Sequence, residues 1–252
     1  MRRIGATPLL FGLGFLVLLA GLWRIDASPA RIWEGLGKLG WLVALMWPPS
    51  PGGAFAELLQ GLAESLAMAF LGTLLAALPL ALLGAGNIVG SALLRFSARR
   101  LYDGLRGIDS LIWALIFVSA VGMGPFAGIL ALAVPDAGTL AKLFSEALEG
   151  ADRRQVEAVR AAGAGRLLAV RIGLLPQVAP VMLAQVLYTL ESNARSSTVL
   201  GLVGAGGIGL ALSDRIRINN WDEAAFIVLM ILVMVAAIDL ASRTLRLRLI
   251  RP

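Results

Sequence analysis

From Glu57 to Ala241 the sequence is almost continuously apolar, and its longest polar interruption is Gln155–Pro176, QVEAVRAAGAGRLLAVRIGLLP. Apolar runs of this length read as membrane-spanning helices, which bond their own backbone groups where no water can. A membrane protein has no folding reason to set a helical polar segment between two spans, where a short turn would serve. Such a segment reads as a surface for a partner in the water.

Composition agrees with that class. Of 252 residues, 58% are hydrophobic and 15% are charged. Soluble domains hold roughly 45–50% apolar and about 25% charged residues. The mean hydropathy is +0.83, and the apolar excess has to face lipid. The chain has no cysteine and no histidine. That excludes thiolate and imidazole catalysis and any metal held by those side chains. A net charge of +6 would suit nucleic acid. The arginines cluster between apolar segments, however, as the positive-inside rule expects. Membrane lipid is the expected partner, and nucleic acid is not.

Six spans are expected: Leu9–Leu22, Glu57–Leu83 with a kink at Pro79, Ile108–Gly122, Phe126–Glu146, Pro176–Leu202 and Asp222–Ala241. The basic Arg2-Arg3 start and the apolar run to Trp23 also fit a signal peptide, but Pro29 spoils the small-residue cleavage site. A retained first helix is expected. Arg24–Pro51 reads as an extracytoplasmic loop with an amphipathic piece, its Trp33, Trp41 and Trp47 at the headgroup level. Asn87–Gly107 reads as a polar loop carrying Arg95, Arg99, Arg100 and Arg106. Both termini then share one side with that loop and with Gln155–Pro176. The arginine excess makes it the cytoplasm. Residues 1–57 are expected to form an N-terminal helix and loop. Residues 58–245 form the transmembrane core, with a coupling loop at 150–175, and 246–252 a basic cytoplasmic tail.

Three stretches could carry function. In the first, Glu157, Arg160 and Ala164 fall on one helix face, and Val156, Val159 and Gly163 on another. On this pattern alone, docking to a protein and lying against headgroups stand level. In the second, Gly201, Gly204, Gly206, Gly207 and Gly209 break the chain after the fifth span. The G-x-G-x-x-G at Gly204 follows a span, not a strand, and no Lys-Ser or Lys-Thr follows it. It is therefore neither a dinucleotide fingerprint nor a P-loop. Irregular backbone there either lines a cavity or is buried by close packing of small residues. In the third, Glu191 and Arg195 stand at i and i+4 inside a span. They form a structural ion pair. Alternatively, Arg195 with Asn193, Ser196, Ser197 and Thr198 lines a path for a tetrahedral oxyanion, which a guanidinium fork matches.

Glu157-Ala158, Gly163 and Leu175-Pro176 resemble the EAA loop of ABC importer permeases at its spacing, with Val159 in place of an alanine and Gly173 in place of an isoleucine. The likeness narrows with LRGIDSLIWALIFVSAVGMGPFAGILALAV (105–134), KLFSEALE (142–149), LPQVAP (175–180), the Glu191-x-Asn193-x-Arg195 segment and VLGLVGAGGIG. Over 65–245 the chain resembles phosphonate-type permeases. The resemblance implies an all-α polytopic protein of the inner membrane with the type I ABC importer transmembrane fold. It implies a homodimer, two cytoplasmic ABC ATPase subunits and an extracytoplasmic substrate-binding protein. No cofactor is implied in this chain, and ATP and Mg would be bound by the partner ATPase, so the chain itself is not an enzyme. Its cargo would be a phosphonate, phosphite, hypophosphite or phosphate ester. The coupling residues would be Val156, Glu157, Ala158, Arg160, Ala161, Gly163 and Ala164.

Rival readings are an ABC permease for another small solute, an ion-coupled secondary transporter and a lipid-modifying enzyme. The secondary transporter calls for inverted repeats, and no convincing repeat is visible. The enzyme calls for a catalytic constellation, and Asp103, Asp109 and Asp136 form no recognisable pair.

Overall fold

The computed structural model describes residues 6–24, 28–76, 91–165 and 168–250. Their regular structure is helical throughout: α1 (Ala6–Arg24), α2 (Pro29–Leu45), α3 (Phe55–Ala76), α4 (Ala92–Arg106), α5 (Ser110–Val121), α6 (Pro125–Gly150), α7 (Arg153–Ala161), a π-helical segment (Ala169–Leu174), α8 (Leu175–Gly201), α9 (Ile208–Arg217) and α10 (Trp221–Ile250).

The chain divides into residues 1–49 and 50–252. In the first unit, α1 is a shorter apolar helix. The expected loop after it is largely helical as α2, which starts where Ser28 Oγ accepts from Arg31 N at 3.3 Å and Pro29 fills the first turn. Trp33, Trp41 and Trp47 on and beside α2 are exposed.

The second unit is built around α6, which touches α3, α4, α5 and α8. Its buried face alternates small and large residues, with Ala127, Gly128, Ala131 and Gly138 among Leu132, Leu140, Phe144 and Leu148. Small residues let backbones approach where lipid supplies no hydrophobic drive between helices. Gly138 shows the effect, because a Cβ there would sit 2.7 Å from Tyr102 O of α4. Met68, Ala114, Ala131, Leu132, Leu200 and Ala205 form the central cluster, drawing α3, α5, α6 and the end of α8 together.

Among the described residues, four helices are long and apolar enough to cross a membrane: Phe55–Ala76, Pro125–Gly150, Ala169–Gly201 and Trp221–Arg248. The expected third span is corrected. Its helix, α5, has 12 residues, too few to cross alone. It meets α4 at an 84° bend, and the two count as a further span only if taken as one broken helix. The described part of the expected Asn87–Gly107 loop is therefore mostly helix. Ala98 and Tyr102 pack on Ala141 of α6. Arg99 holds both carboxylate oxygens of Glu149 at 2.8 Å, and Lys142 reaches Asp103 at 3.4 Å. The expected tail from residue 246 is also helical to Ile250, as the end of α10. The Pro79 kink, the end of the second span to Leu83, Arg2-Arg3, Arg166 and Arg251 lie outside the described residues.

Candidate functional site

The polar interruption folds as α7 followed by the π-helical segment. Asp152 caps α7, its carboxylate accepting from Arg154 N at 2.9 Å. At the other end Gly163 adopts φ +90°. Gly163 N donates to Arg160 O at 2.9 Å and Ala164 N to Val159 O at 3.3 Å. These two bonds form a Schellman motif, whose left-handed residue glycine supplies without a Cβ penalty. Val156 and Val159 are half-buried, with Val156 packed near Leu148, Leu174 and Val178. Glu157, Ala158, Arg160, Ala161 and Gly163 are exposed, and Ala164 is half-buried. Among the described residues, Glu157 and Arg160 make no ion pair, and they line an open cleft of about 330 Å³ with Arg153, Val170 and Leu174.

Two residues hold α7 to the membrane helix behind it. A Cβ on Gly173 would lie 3.0 Å from Val156 Cα, so the glycine at the isoleucine position lets the two backbones touch. Gln177 Oε1 accepts from Asp152 N at 2.9 Å, and its Nε2 donates to Asp152 O and Gly173 O.

The polar residues of α8 divide between two faces. On the inner face, Asn193 Nδ2 donates to Asp136 Oδ2 of α6 at 2.6 Å and to Thr73 Oγ1 of α3 at 2.9 Å. Thr73 passes its own proton to Ala69 O at 2.7 Å. Ser197 is buried and donates to Ala194 O at 3.0 Å. On the other face, Glu191 Oε1 accepts from Arg195 at 3.2 Å, and Oε2 accepts from Arg246 of α10 at 3.1 Å. The Glu191 side chain is 11% exposed and that of Arg195 is 52% exposed. Ser196 and Thr198 are half-buried, and Thr198 Oγ1 bonds Arg195 O at 2.7 Å.

The glycine break is wholly inside the protein. Residues 204–209 are buried, and Gly204, Gly206 and Gly207 have φ values of +93°, +82° and +73°. Gly201 at the end of α8 lies backbone to backbone against Gly209 of α9. Gly204 O accepts from Gly124 N at 3.0 Å. Ser65 Oγ and Glu64 Oε2 of α3 accept from Ile208 N at 2.9 Å and Gly207 N at 3.3 Å, satisfying the first amides of α9. Gly201, Gly206 and Gly209 are closely packed, and Gly207 also lines a cleft with Glu57, Gln60 and Glu64.

The family model for the binding-protein-dependent transport system inner membrane component matches residues 77–251. The chain belongs to that family. It is 38% identical over 249 residues to the phosphite transport system permease protein PtxC of Stutzerimonas stutzeri, covering 97% of this chain and 89% of PtxC. It is 38% identical over 233 residues to the phosphate-import permease protein PhnE of Mycolicibacterium smegmatis, covering 91% of this chain and 44% of PhnE. A chain of the inward-facing MetNI methionine ABC transporter superposes with a TM-score of 0.68 at 25% identity, covering 80% of this chain and all of that one. The protein is a multi-pass inner-membrane permease with an ABC importer fold.

Sequence reasoning singled out Glu191, Asn193 and Arg195 but missed their partners Arg246, Asp136 and Thr73. Of these three, Asp136 beside Pro135 gave a visible signal, as an ionisable residue inside a span. Glu64, inside the expected second span, carried the same kind of signal, but its partner amide on a distant helix did not show; Ser65 gave none.

Proposed function

We propose that this permease carries phosphite, a phosphonate or a related phosphorus oxyanion inward by alternating access, as one subunit of an ATP-driven importer. Arg195 is the observation that carries the reading. Val181, Tyr188, Arg195 and Leu202 recur every seven residues on one exposed stripe of α8, with Val199 beside them. A guanidinium facing lipid is costly, so this stripe belongs against protein or water. Two copies meeting there would line a shared path with Arg195, Ser196 and Thr198, while Glu191, Asn193 and Ser197 hold its wall. The arginine fork suits tetrahedral oxyanions, and the names of the phosphite and phosphate relatives point to the same cargo.

In this reading α7 is the cytoplasmic coupling helix. Glu157, Ala158, Arg160 and Ala161 offer its exposed face to an ATPase, and Val156 with Gly163 and Ala164 fixes its angle. Two ATPase subunits bind ATP and Mg, and an extracytoplasmic binding protein delivers the anion. Gly201, Gly204, Gly206, Gly207 and Gly209 form the joint about which α8 and α9 move as one.

The test is ATP hydrolysis by the assembled complex with its binding protein, compared across phosphite, methylphosphonate, phosphate and methionine. Stimulation by a phosphorus oxyanion and none by methionine is expected. Stimulation by methionine alone overturns the cargo and leaves the importer standing. PhnE, more than twice the length of its matched part, leaves room for a second permease region in one chain. That favours a second reading of the dimer, in which the partner is a different permease. Co-purification of tagged with untagged copies separates the two.

A further inference from the structure

We infer that Arg246 gives the Glu191–Arg195 pair beside the oxyanion path a net positive charge and so frees Arg195 to hold cargo while Glu191 stays paired. The inference rests on the reading that Arg195 meets a phosphorus oxyanion. Glu191 and Arg195 alone sum to zero, and a neutral pair offers an anion little reason to enter a low-dielectric path. Arg246 changes that sum. Glu191 gives one carboxylate oxygen to each arginine, Oε1 to Arg195 and Oε2 to Arg246. The three side chains therefore carry one uncompensated positive charge per copy.

Exposure decides where that charge is offered. The Arg246 side chain is 27% exposed and that of Glu191 is 11%, against 52% for Arg195. Among the described residues, the guanidinium of Arg195 has Glu191 as its one side-chain partner. An arginine has five N–H donors, so most of its fork is open. Arg246 occupies the second carboxylate oxygen, which would otherwise be open to a bidentate grip by Arg195. Arg246 thus acts at a distance from the cargo. It is a positioning and charge-setting residue supplied by α10 to a site on α8.

The proposal makes a non-additive prediction. Arg246→Gln leaves the site neutral, and Glu191→Gln with Arg246→Gln restores one positive charge on Arg195. Phosphite uptake into cells is measured for Arg195→Gln, Arg246→Gln, Arg246→Lys and the double variant, each normalised to permease present in the membrane. Uptake should fall roughly tenfold or more in Arg195→Gln and Arg246→Gln, the loss expected for a nearby unit charge at low effective dielectric. The double variant should recover to within about threefold of the parent, although it lacks every ion pair of the triad. Arg246→Lys keeps the charge and should stay near the parent, which gives a measurement should Arg246→Gln not accumulate. Parent-like uptake in Arg246→Gln, or a double variant no better than that single one, overturns the role of Arg246 and leaves Arg195 in place. Loss of uptake in a well-accumulated Arg246→Lys does the same. Parent-like uptake in Arg195→Gln overturns the underlying reading, and the inference falls with it.

Discussion

Gly201 and Gly209 face each other across the break between α8 and α9, so closely that a Cβ on Gly201 would sit 2.6 Å from Gly209 Cα. A Cβ on Gly209 would sit 1.9 Å from Thr198 O. Backbone lies on both sides, so no side chain can swing away. Gly209→Ala should prevent stable accumulation of the permease. Gly163→Ala is the control. Unlike Gly209, it has a left-handed φ of +90°, but nothing lies within 4 Å of its Cβ. It should cost only about 1–2 kcal/mol in local backbone strain and accumulate normally. Membrane content and thermal stability in detergent check both. A Gly209→Ala protein as stable as the parent would contradict this packing.

Gly173 should behave in between. The nearest atom to its missing Cβ is Val156 Cα, at 3.0 Å, on a short surface helix that can shift. Gly173→Ala should push α7 outward, leave membrane content unchanged and reduce transport. Gln177→Ala should loosen the same joint by another route, since Asp152 N and Asp152 O both lose their side-chain partner. Amide exchange across Arg153–Ala161 should quicken in both variants. Unchanged exchange in Gln177→Ala would mean the side chain does not hold the helix.

Local features of this fold were legible in the sequence, and pairings across the bundle were not. The long apolar runs, the Val156/Val159 and Glu157/Arg160 faces of α7 and its stop before Gly163 are local in sequence, whereas Gly163 and Ala164 lie past the helix end and off the expected faces. In sequence the segment of α4 reads as loop because four arginines outweigh its apolar positions. Its order comes from Glu149 and Lys142 of α6, which no window around Arg99 contains. Arg246 was read as part of a charged tail for the same reason. Its partner Glu191 lies on a different helix, and only packing of α10 beside α8 brings them together. The glycine break points to unusual backbone, but its partners Glu64, Ser65 and Gly124 come from elsewhere in the chain.

Asn193 should be the most sensitive polar position of α8. Its amide donates to both Asp136 and Thr73, and Thr73 donates onward to Ala69 O, so every proton in the chain runs one way. Removing the donor strands a half-buried carboxylate and leaves the buried Thr73 hydroxyl with Ala69 O alone. Asn193→Ala should cost about 1–3 kcal/mol of stability, the usual penalty for unsatisfied buried groups. Asn193→Asp should cost more, because an acceptor then faces the acceptor Asp136. Denaturation in detergent ranks the two, and an Asn193→Asp protein more stable than Asn193→Ala would refute this hydrogen-bond direction.

Glu157 is where folding and coupling should separate. It is exposed, makes no ion pair among the described residues and lines the cleft beside α7. Reversing its charge therefore disturbs nothing within the permease, and Glu157→Lys should accumulate and melt like the parent. If α7 docks on an ATPase, the reversed charge meets the partner directly. ATP hydrolysis should then lose its dependence on the loaded binding protein, and uptake should fall roughly tenfold or more, as when a charge at a partner contact is left opposed. Gly163→Pro reaches the same end through geometry, because proline fixes φ near −65° where the motif requires +90°. It redirects the chain after α7 without touching the exposed face. Normal, coupled uptake in both variants would remove α7 from the coupling role. Normal uptake in Gly163→Pro alone would keep the docking face and discard the requirement for its angle.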